Sequence, residues 1–468
     1  MSLKLGGNRT LNASKTTSQD LSLQLAFRKQ VILLTIFSLF VLTTPGNTQT
    51  QINKRRHKFS LQKQERKEGD KKNFFEKTLQ LILQNYEIEA FGSPHTINAL
   101  PITYFDVRTG LNLGFRTLML SKQKKPYLYR LTVQFIASFK GHHNHKLIFE
   151  YPEIGHSIFG FKLQGEWQRD LQARYFGIGN NSVYEKQLTD PKSAAFIDKD
   201  FYLYNLKQPR LTIFGSLRIL PALHVWFGFG LQSVQPQLKN GPQTSYLALD
   251  RPFGYSGGAG KYLSFRLSWD TRATEIFPLT GFLTEFTFEP NFASVNTEIA
   301  GANGAESQSK KVTYYRYTFS DAYFIPITSE RLILANRIAF EAIAGEAPYY
   351  AYGEIGGQRY TRTLGGSQSL RGFQTRRFQD KIKFFTLTEF RYNFKQFNFM
   401  SQSFDLILIG FFDSGRVWHR WSEIAVHNFH ATFGTGLWLN WNNKLIFRLD
   451  VGRSTEEINA YFRLNSAF

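Results

Sequence analysis

The chain contains no cysteine among its 468 residues. That excludes disulfides, thiolate metal centres, cysteine nucleophiles and a lipid anchor on cysteine. Acidic residues are scarce beside basic ones, 36 against 57, which leaves a formal net charge of +21. A hydrophobic run long enough to cross a bilayer as a helix, about 20 residues, is also missing. The longest candidate, Val31 to Leu42, is shorter, follows Arg28-Lys29 and ends in Thr43-Thr44-Pro45-Gly46. A basic flank, a short apolar core and small residues after it are the layout of a secretory signal. Residues 1–50 are therefore expected to be a signal peptide with a long n-region, cut near Thr48 to Gln51.

What is abundant is aromatic: 46 Phe, 22 Tyr and 7 Trp, or 16% of the chain. The mean hydropathy is nonetheless negative, at −0.31. A soluble core does not need so much aromatic surface with so little net hydrophobicity. A barrel with one lipid-facing wall and one wet wall does. The basic run Lys54 to Lys72, KRRHKFSLQKQERKEGDKK, lacks the aromatic platform of a nucleic-acid site. It reads as a solvated linker, and nucleic acid is not an expected partner of an exported chain.

From about Ala99 the pattern has period two. Tyr127, Tyr129, Leu131, Val133, Phe135, Ala137 and Phe139 fall on one face, with Arg130, Thr132, Gln134 and Ser138 on the other. Phe159, Phe161, Leu163 and Trp167 repeat the arrangement, as do Leu223, Val225, Phe227, Phe229 and Leu231. Such runs exceed the about 5–6 residues usual for soluble strands. Strand starts are predicted near residues 99, 111, 127, 145, 158, 200, 222, 261, 281, 312, 332, 383, 405, 431, 444 and 459. Short connections at 121–126, 151–156, 220–221, 325–331 and 442–443 alternate with long ones at 177–199, 233–260, 291–311 and 345–381. The expected fold is all-β: a transmembrane antiparallel barrel of about sixteen strands, even-numbered as bacterial barrels are. Its expected division is signal at 1–50, basic periplasmic linker at 51–98 and barrel at 99–468.

Two motifs that suggest other chemistry lack its context. Gly254-Tyr255-Ser256-Gly257-Gly258 fits the nucleophile-elbow pattern but sits in a loop before a strand, without the strand–turn–helix setting that chemistry needs. His142, His143 and His145 crowd a hairpin tip, where adjacent positions do not converge on one ion. No catalytic residue, metal site or cofactor is expected.

Leu370-Arg371-Gly372-Phe373 lies in the loop 345–381, behind Gly365 and Gly366. It is followed by Thr388-Glu389-Phe390-Arg391-Tyr392 and by Gly410-Phe411-Phe412-Asp413-Ser414-Gly415-Arg416-Val417-Trp418. Asp270-Thr271-Arg272 with Phe277-Pro278-Leu279-Thr280-Gly281, and Tyr175-Phe176-Gly177-Ile178-Gly179-Asn180, precede it. This set resembles the BamA/TamA-type outer-membrane assembly barrels, also called bacterial surface antigens, from about Leu100 to Phe468. Leu370 stands where the family has a β-branched residue. The resemblance implies a loop folded into the lumen, with Arg371 meeting inner-wall carboxylates at Glu389 and Asp413. It also implies that Phe462, Leu464 and the terminal Phe468 form a C-terminal barrel signal.

By that resemblance the chain would insert, assemble or translocate outer-membrane proteins through a seam between its first and last strands. Its expected partners are outer-membrane lipids, unfolded outer-membrane clients, and periplasmic or lipoprotein subunits. The family's periplasmic POTRA domains have no room in residues 51–98, so their role in recruiting substrate does not carry over. A passive channel or structural surface barrel that lost assembly activity is the alternative, and lipid export a third reading.

Overall fold

The computed structural model describes residues 86–464, except 91–92, 107–108, 122–126, 275–276, 302–303, 329–330, 358–360, 400–401 and 444. The expected signal at 1–50 and Phe468 lie outside the described residues. The strands are β1 (Tyr86–Ala90), β2 (Ser93–Asp106), β3 (Gly110–Ser121), β4 (Arg130–Ser138), β5 (His143–Tyr151), β6 (Phe159–Arg174), β7 (Leu203–Leu220), β8 (Leu223–Leu238), β9 (Gly258–Asp270), β10 (Gly281–Gly301), β11 (Gly304–Pro326) and β12 (Leu332–Gly345). After a short hairpin of β13 (Glu354–Ile355) and β14 (Thr361–Arg362) come β15 (Ile382–Phe399), β16 (Gln402–Trp418), β17 (His430–Trp441), β18 (Leu445–Arg453) and β19 (Ile458–Leu464).

One antiparallel sheet holds seventeen of these strands. Setting aside the five-residue β1 leaves sixteen wall strands of a β-barrel, each paired with its neighbour in sequence, from Phe105↔Leu111 in the first hairpin to Val451↔Ala460 in the last. The period-two pattern explains why the wall has two chemically different faces. Along β7, Arg210, Thr212, Phe214 and Ser216 are buried inward while Leu211 and Ile213 are each 43% exposed outward. Phe390, Tyr392, Leu408, Phe412 and Leu449 continue the outward apolar face. Exposed aromatic and aliphatic side chains on that scale are stable against lipid rather than water.

Most connections fall where the sequence placed them, with three differences. The first wall strand begins at Ser93, inside the stretch assigned to a linker, and β1 pairs with it. The long connection expected at 291–311 is instead strand: β10 and β11 stay in register out to Gly301↔Gly304. Beyond Val295 that stretch is mostly polar on both faces, which removes the alternation that marks the other strands. Ser294 and Ser309 share a hydroxyl hydrogen bond of 2.5 Å, and the Thr297 hydroxyl donates to the Gln308 carbonyl at 3.1 Å. The long connection expected at 233–260 is shorter, 239–257, between β8 and β9.

Candidate functional site

The loop from Glu346 to Lys381 carries the site. Gly365 and Gly366 adopt φ of 107° and 91°, a region costly for residues with a Cβ. They turn the chain so that the Gly366 N–H faces the carbonyls of Leu370 (3.2 Å) and Phe373 (3.1 Å). The Ser369 hydroxyl accepts from the Gly365 N–H at 2.9 Å and donates to the Thr363 carbonyl at 3.2 Å. Leu364, Leu370, Phe373 and Phe378 pack against Phe385, Leu387 and Val417 of the inner wall. Gly372 serves differently from the other two. A Cβ there would lie 2.5 Å from the Arg453 carbonyl carbon and 2.6 Å from the Ser454 nitrogen, both backbone atoms that cannot move aside.

That close approach sets Arg371, 1% exposed, against β15 and β16. Its Nε donates to Asp413 Oδ2 at 2.8 Å, and its Nη2 to Oδ1 at 2.6 Å. Nη1 donates to Glu389 Oε1 at 2.6 Å, and the backbone N–H adds a bond to Asp413 Oδ2 at 3.2 Å. The guanidinium lies 3.5 Å over the Phe411 ring. A rigid fork can serve two carboxylates at once; an ammonium cannot. Burial opposes the charge on Arg371, but Asp413 and Glu389 outweigh it and raise the pKa further above its already high ordinary value.

The network extends beyond the three residues that the motif comparison pointed to. Arg391 donates to Glu389 Oε2 through Nε and Nη2, at 2.9 and 2.8 Å. Arg448 bonds Asp450 at 2.6 Å and reaches Glu389 at 3.8 Å. Trp438 Nε1 donates to Asp450 at 2.8 Å, and its ring lies beneath both Arg448 and Arg391. Three guanidiniums thus interleave with three carboxylates across β15 to β18. The sequence pattern presents Arg391 only as part of the motif at 388–392, with no partner, and does not single out Arg448 or Asp450, although each is a charged residue on the inward period of its strand.

Further ties hold the rest of the loop. Glu341 on β12 pairs with Arg316 of β11 at 3.1 Å and with Lys383 of β15, and accepts from the Gly356 N–H at 2.6 Å. Across the lumen, Glu354 accepts from Arg210 at 2.7 Å and Gln208 at 2.8 Å on β7. Burial would raise the Glu354 pKa, but Arg210 and Arg376 pull it down to about 2. Arg362 pairs with Asp170 of β6 at 2.8 Å. The Tyr175–Asn180 run meets the loop as well: the Gly179 N–H donates to the Gln379 carbonyl at 3.0 Å.

The tip also engages the last strand. On β19 the inward positions are Asn459, Tyr461 and Arg463. Asn459 donates to the Gly372 carbonyl (3.1 Å), Tyr461 to that of Phe373 (3.3 Å), and Arg463 to the Ser367 carbonyl and hydroxyl (3.0 and 2.9 Å). Phe462 points outward, 65% exposed. Leu464 is the last residue of β19, paired with Phe447. At the opposite end, Arg272 forks onto Asp270 at 2.9 and 2.8 Å in the β9–β10 connection.

The sequence matches the family model of the Omp85 superfamily domain over residues 182–456. No curated protein matches it. Among solved structures, BamA from Haemophilus ducreyi lacking POTRA domains 1-3 is similar at 13% identity and a TM-score of 0.49, covering 80% of this chain and 70% of that one. CdiB from Escherichia coli is similar at 11% identity and 0.46, over 81% of this chain and 63% of that one. A bacterial polysaccharide outer membrane secretin follows at 10% identity and 0.33, over 79% and 94%. The family match takes in the loop, its Arg371 and the carboxylate strands, and spans more than half of the 468 residues; the chain belongs to the Omp85 superfamily of outer-membrane β-barrels.

Proposed function

We propose that this barrel inserts, assembles or translocates outer-membrane proteins, through a seam between its first and last wall strands. The observation that carries the reading is the loop tip. It is fastened to β15 and β16 by Arg371 and to β19 by three inward side chains. A loop that only plugged a pore would not need to grip the final strand. In the proposed cycle the tip fixes β19 while the edge of the first strand accepts an incoming β-strand by backbone pairing.

The chain supplies a first occupant of that edge. Over His95 to Ile97, β2 pairs with β3 on one side and with β1 on the other. A client strand would take the place of β1. The clients are unfolded outer-membrane proteins, and periplasmic or lipoprotein subunits are the expected helpers. The passive-channel reading is weakened by the same loop, whose residues Tyr349, Leu364, Leu370, Arg371 and Phe378 are almost fully buried inside the wall.

The test is reconstitution of the full chain in liposomes, followed by addition of a urea-unfolded outer-membrane barrel. Faster folding of the client into a protease-protected form than in empty liposomes is the expected result. No acceleration, together with steady ion conductance in a planar bilayer, would replace the assembly reading with the channel.

A further inference from the structure

The connection between β16 and β17, His419 to Phe429, does not project away from the barrel. It folds back over the outside of the wall. Ala342, Ile382 and Trp418 occupy outward positions of β12, β15 and β16, opposite in parity to the inward Glu341, Lys383 and Val417. They are nonetheless buried, at 3%, 1% and 5% exposure. Their cover includes Phe429, whose ring lies 5.9 Å from that of Phe384 and 6.0 Å from that of Trp418. Trp421 reaches further across and packs on the outward Phe340, with ring centroids 6.0 Å apart.

The connection has a defined shape. Its short turn, Trp421–Glu423, is closed by the Glu423 carboxylate, which accepts from the backbone N–H groups of His419 (3.1 Å) and Arg420 (3.3 Å). The Arg416 guanidinium donates to the His427 carbonyl, and Asn180 holds the Asn428 carbonyl at 3.1 Å. Asn428 takes a left-handed φ of 56°. On this frame stand three apolar side chains turned outward: Trp421 is 63% exposed, Ile424 43% and Val426 95%.

Height along the wall identifies what they meet. Phe340 lies eight residues along β12 from its start at Leu332, on the side of the short turns. At a rise of about 3.3 Å per residue and a strand tilt of about 40°, that is about 20 Å of height, against an apolar band about 25 Å tall. Phe340 pairs in register with Phe319 and with Phe384, as a row of a rim aromatic girdle would. Trp421 therefore sits where the acyl chains of the outer leaflet give way to headgroups. Trp, Ile and Val beside Arg420 and His427, with His419 tied back to Asp380 at 2.9 Å, are the mixture that suits that boundary.

We infer that the β16–β17 connection is a membrane-interfacial anchor, which inserts Trp421, Ile424 and Val426 among outer-leaflet lipids and presents its basic groups to their headgroups. The inference stands apart from the assembly reading, since a channel or a structural barrel could carry the same anchor.

The cysteine-free chain makes the test direct. Val426→Cys and Ile424→Cys, with Lys192→Cys in the exposed β6–β7 loop as reference, each receive one environment-sensitive dye in the full-length protein in phospholipid liposomes. Val426 is so exposed that its replacement leaves the barrel intact. The expected result is blue-shifted emission at 424 and 426 that nitroxide-bearing lipids quench and aqueous iodide does not, with the reverse at 192. Iodide quenching at 426 equal to that at 192 overturns the inference. Shielding that appears only in native outer-membrane vesicles and is lost when their other proteins are stripped by protease also overturns it, because the occupant is then a protein.

Discussion

Removing the Arg371 side chain is the perturbation whose consequence follows most fully from the geometry. In Arg371→Ala, Glu389 keeps both bonds from Arg391, whereas Asp413 loses both guanidinium bonds and keeps only the backbone N–H of residue 371 and the Thr432 hydroxyl, each at 3.2 Å. Three carboxylates then face two guanidiniums in a site where Glu389 and Asp413 are fully buried. A stranded buried charge costs about 3–5 kcal/mol, lessened where lumen water can enter. Arg371→Lys retains a charge but not the fork, and should lose at least one charge-assisted bond, about 1.5–3 kcal/mol.

The diagnostic variant is the double mutant Arg371→Ala/Asp413→Asn. Neutralising the orphaned carboxylate should recover a large part of the loss, because residues in one network are coupled rather than additive. Urea unfolding in liposomes, with heat-dependent mobility on gels as the simpler readout, measures all three. If Arg371→Ala unfolds like the wild type, or if Asp413→Asn adds to its loss instead of relieving it, the stranded-charge reasoning is wrong.

Other consequences are as definite. Gly372→Ala places a methyl group against the backbone of Arg453 and Ser454 and should destabilise by about 1–3 kcal/mol, as overpacking does, seen in the same unfolding assay. Asn459→Ala/Arg463→Met should speed amide exchange in β19 while leaving exchange at Phe385 to Glu389 of the wall unchanged, read by mass spectrometry. The Glu354 pKa in the fold, about 2, lies below its ordinary value of 4.5. Its contribution to docking the loop on β7 is therefore complete above pH 4.5 and fades as pH falls towards about 2. Proteolysis of the loop by an acid-active protease should rise across that window in the wild type, and should vary less with pH in Glu354→Gln.

The sixteen wall strands were legible because each alternates between lipid and lumen, and fourteen of the predicted starts fall within three residues of the observed ones on that alternation alone. Where the alternation weakens, so does legibility. Beyond Val295 the β10–β11 hairpin is mostly polar on both faces, and there Thr297 and Ser309 offer no apolar face to read. Near the chain's start, Ser93 to Asn98 lacks the aromatic contrast of the later strands, so the first boundary was set six residues late.

Arg371, Glu389 and Asp413 were named through the family motif, and the structure brings them together. The wider network had only a weaker signal. Arg391, Arg448 and Asp450 fall on inward positions, but so do many lumen charges, and nothing local says that they meet beneath Trp438. Gly372 shows a second limit. Its neighbours Gly365 and Gly366 are explained by positive φ, which turn chemistry anticipates. Gly372 is explained by a strand more than eighty residues away, whose approach no local pattern reveals.

The central claim is that a latched loop serves a working assembly barrel. Depletion of the protein in its host, with re-expression of wild type or of Arg371→Ala, followed by quantitative proteomics of the outer membrane, tests it most directly. The account predicts that other β-barrel proteins fall on depletion, recover with the wild type and stay low with Arg371→Ala. Unchanged levels of every other barrel on depletion would contradict it.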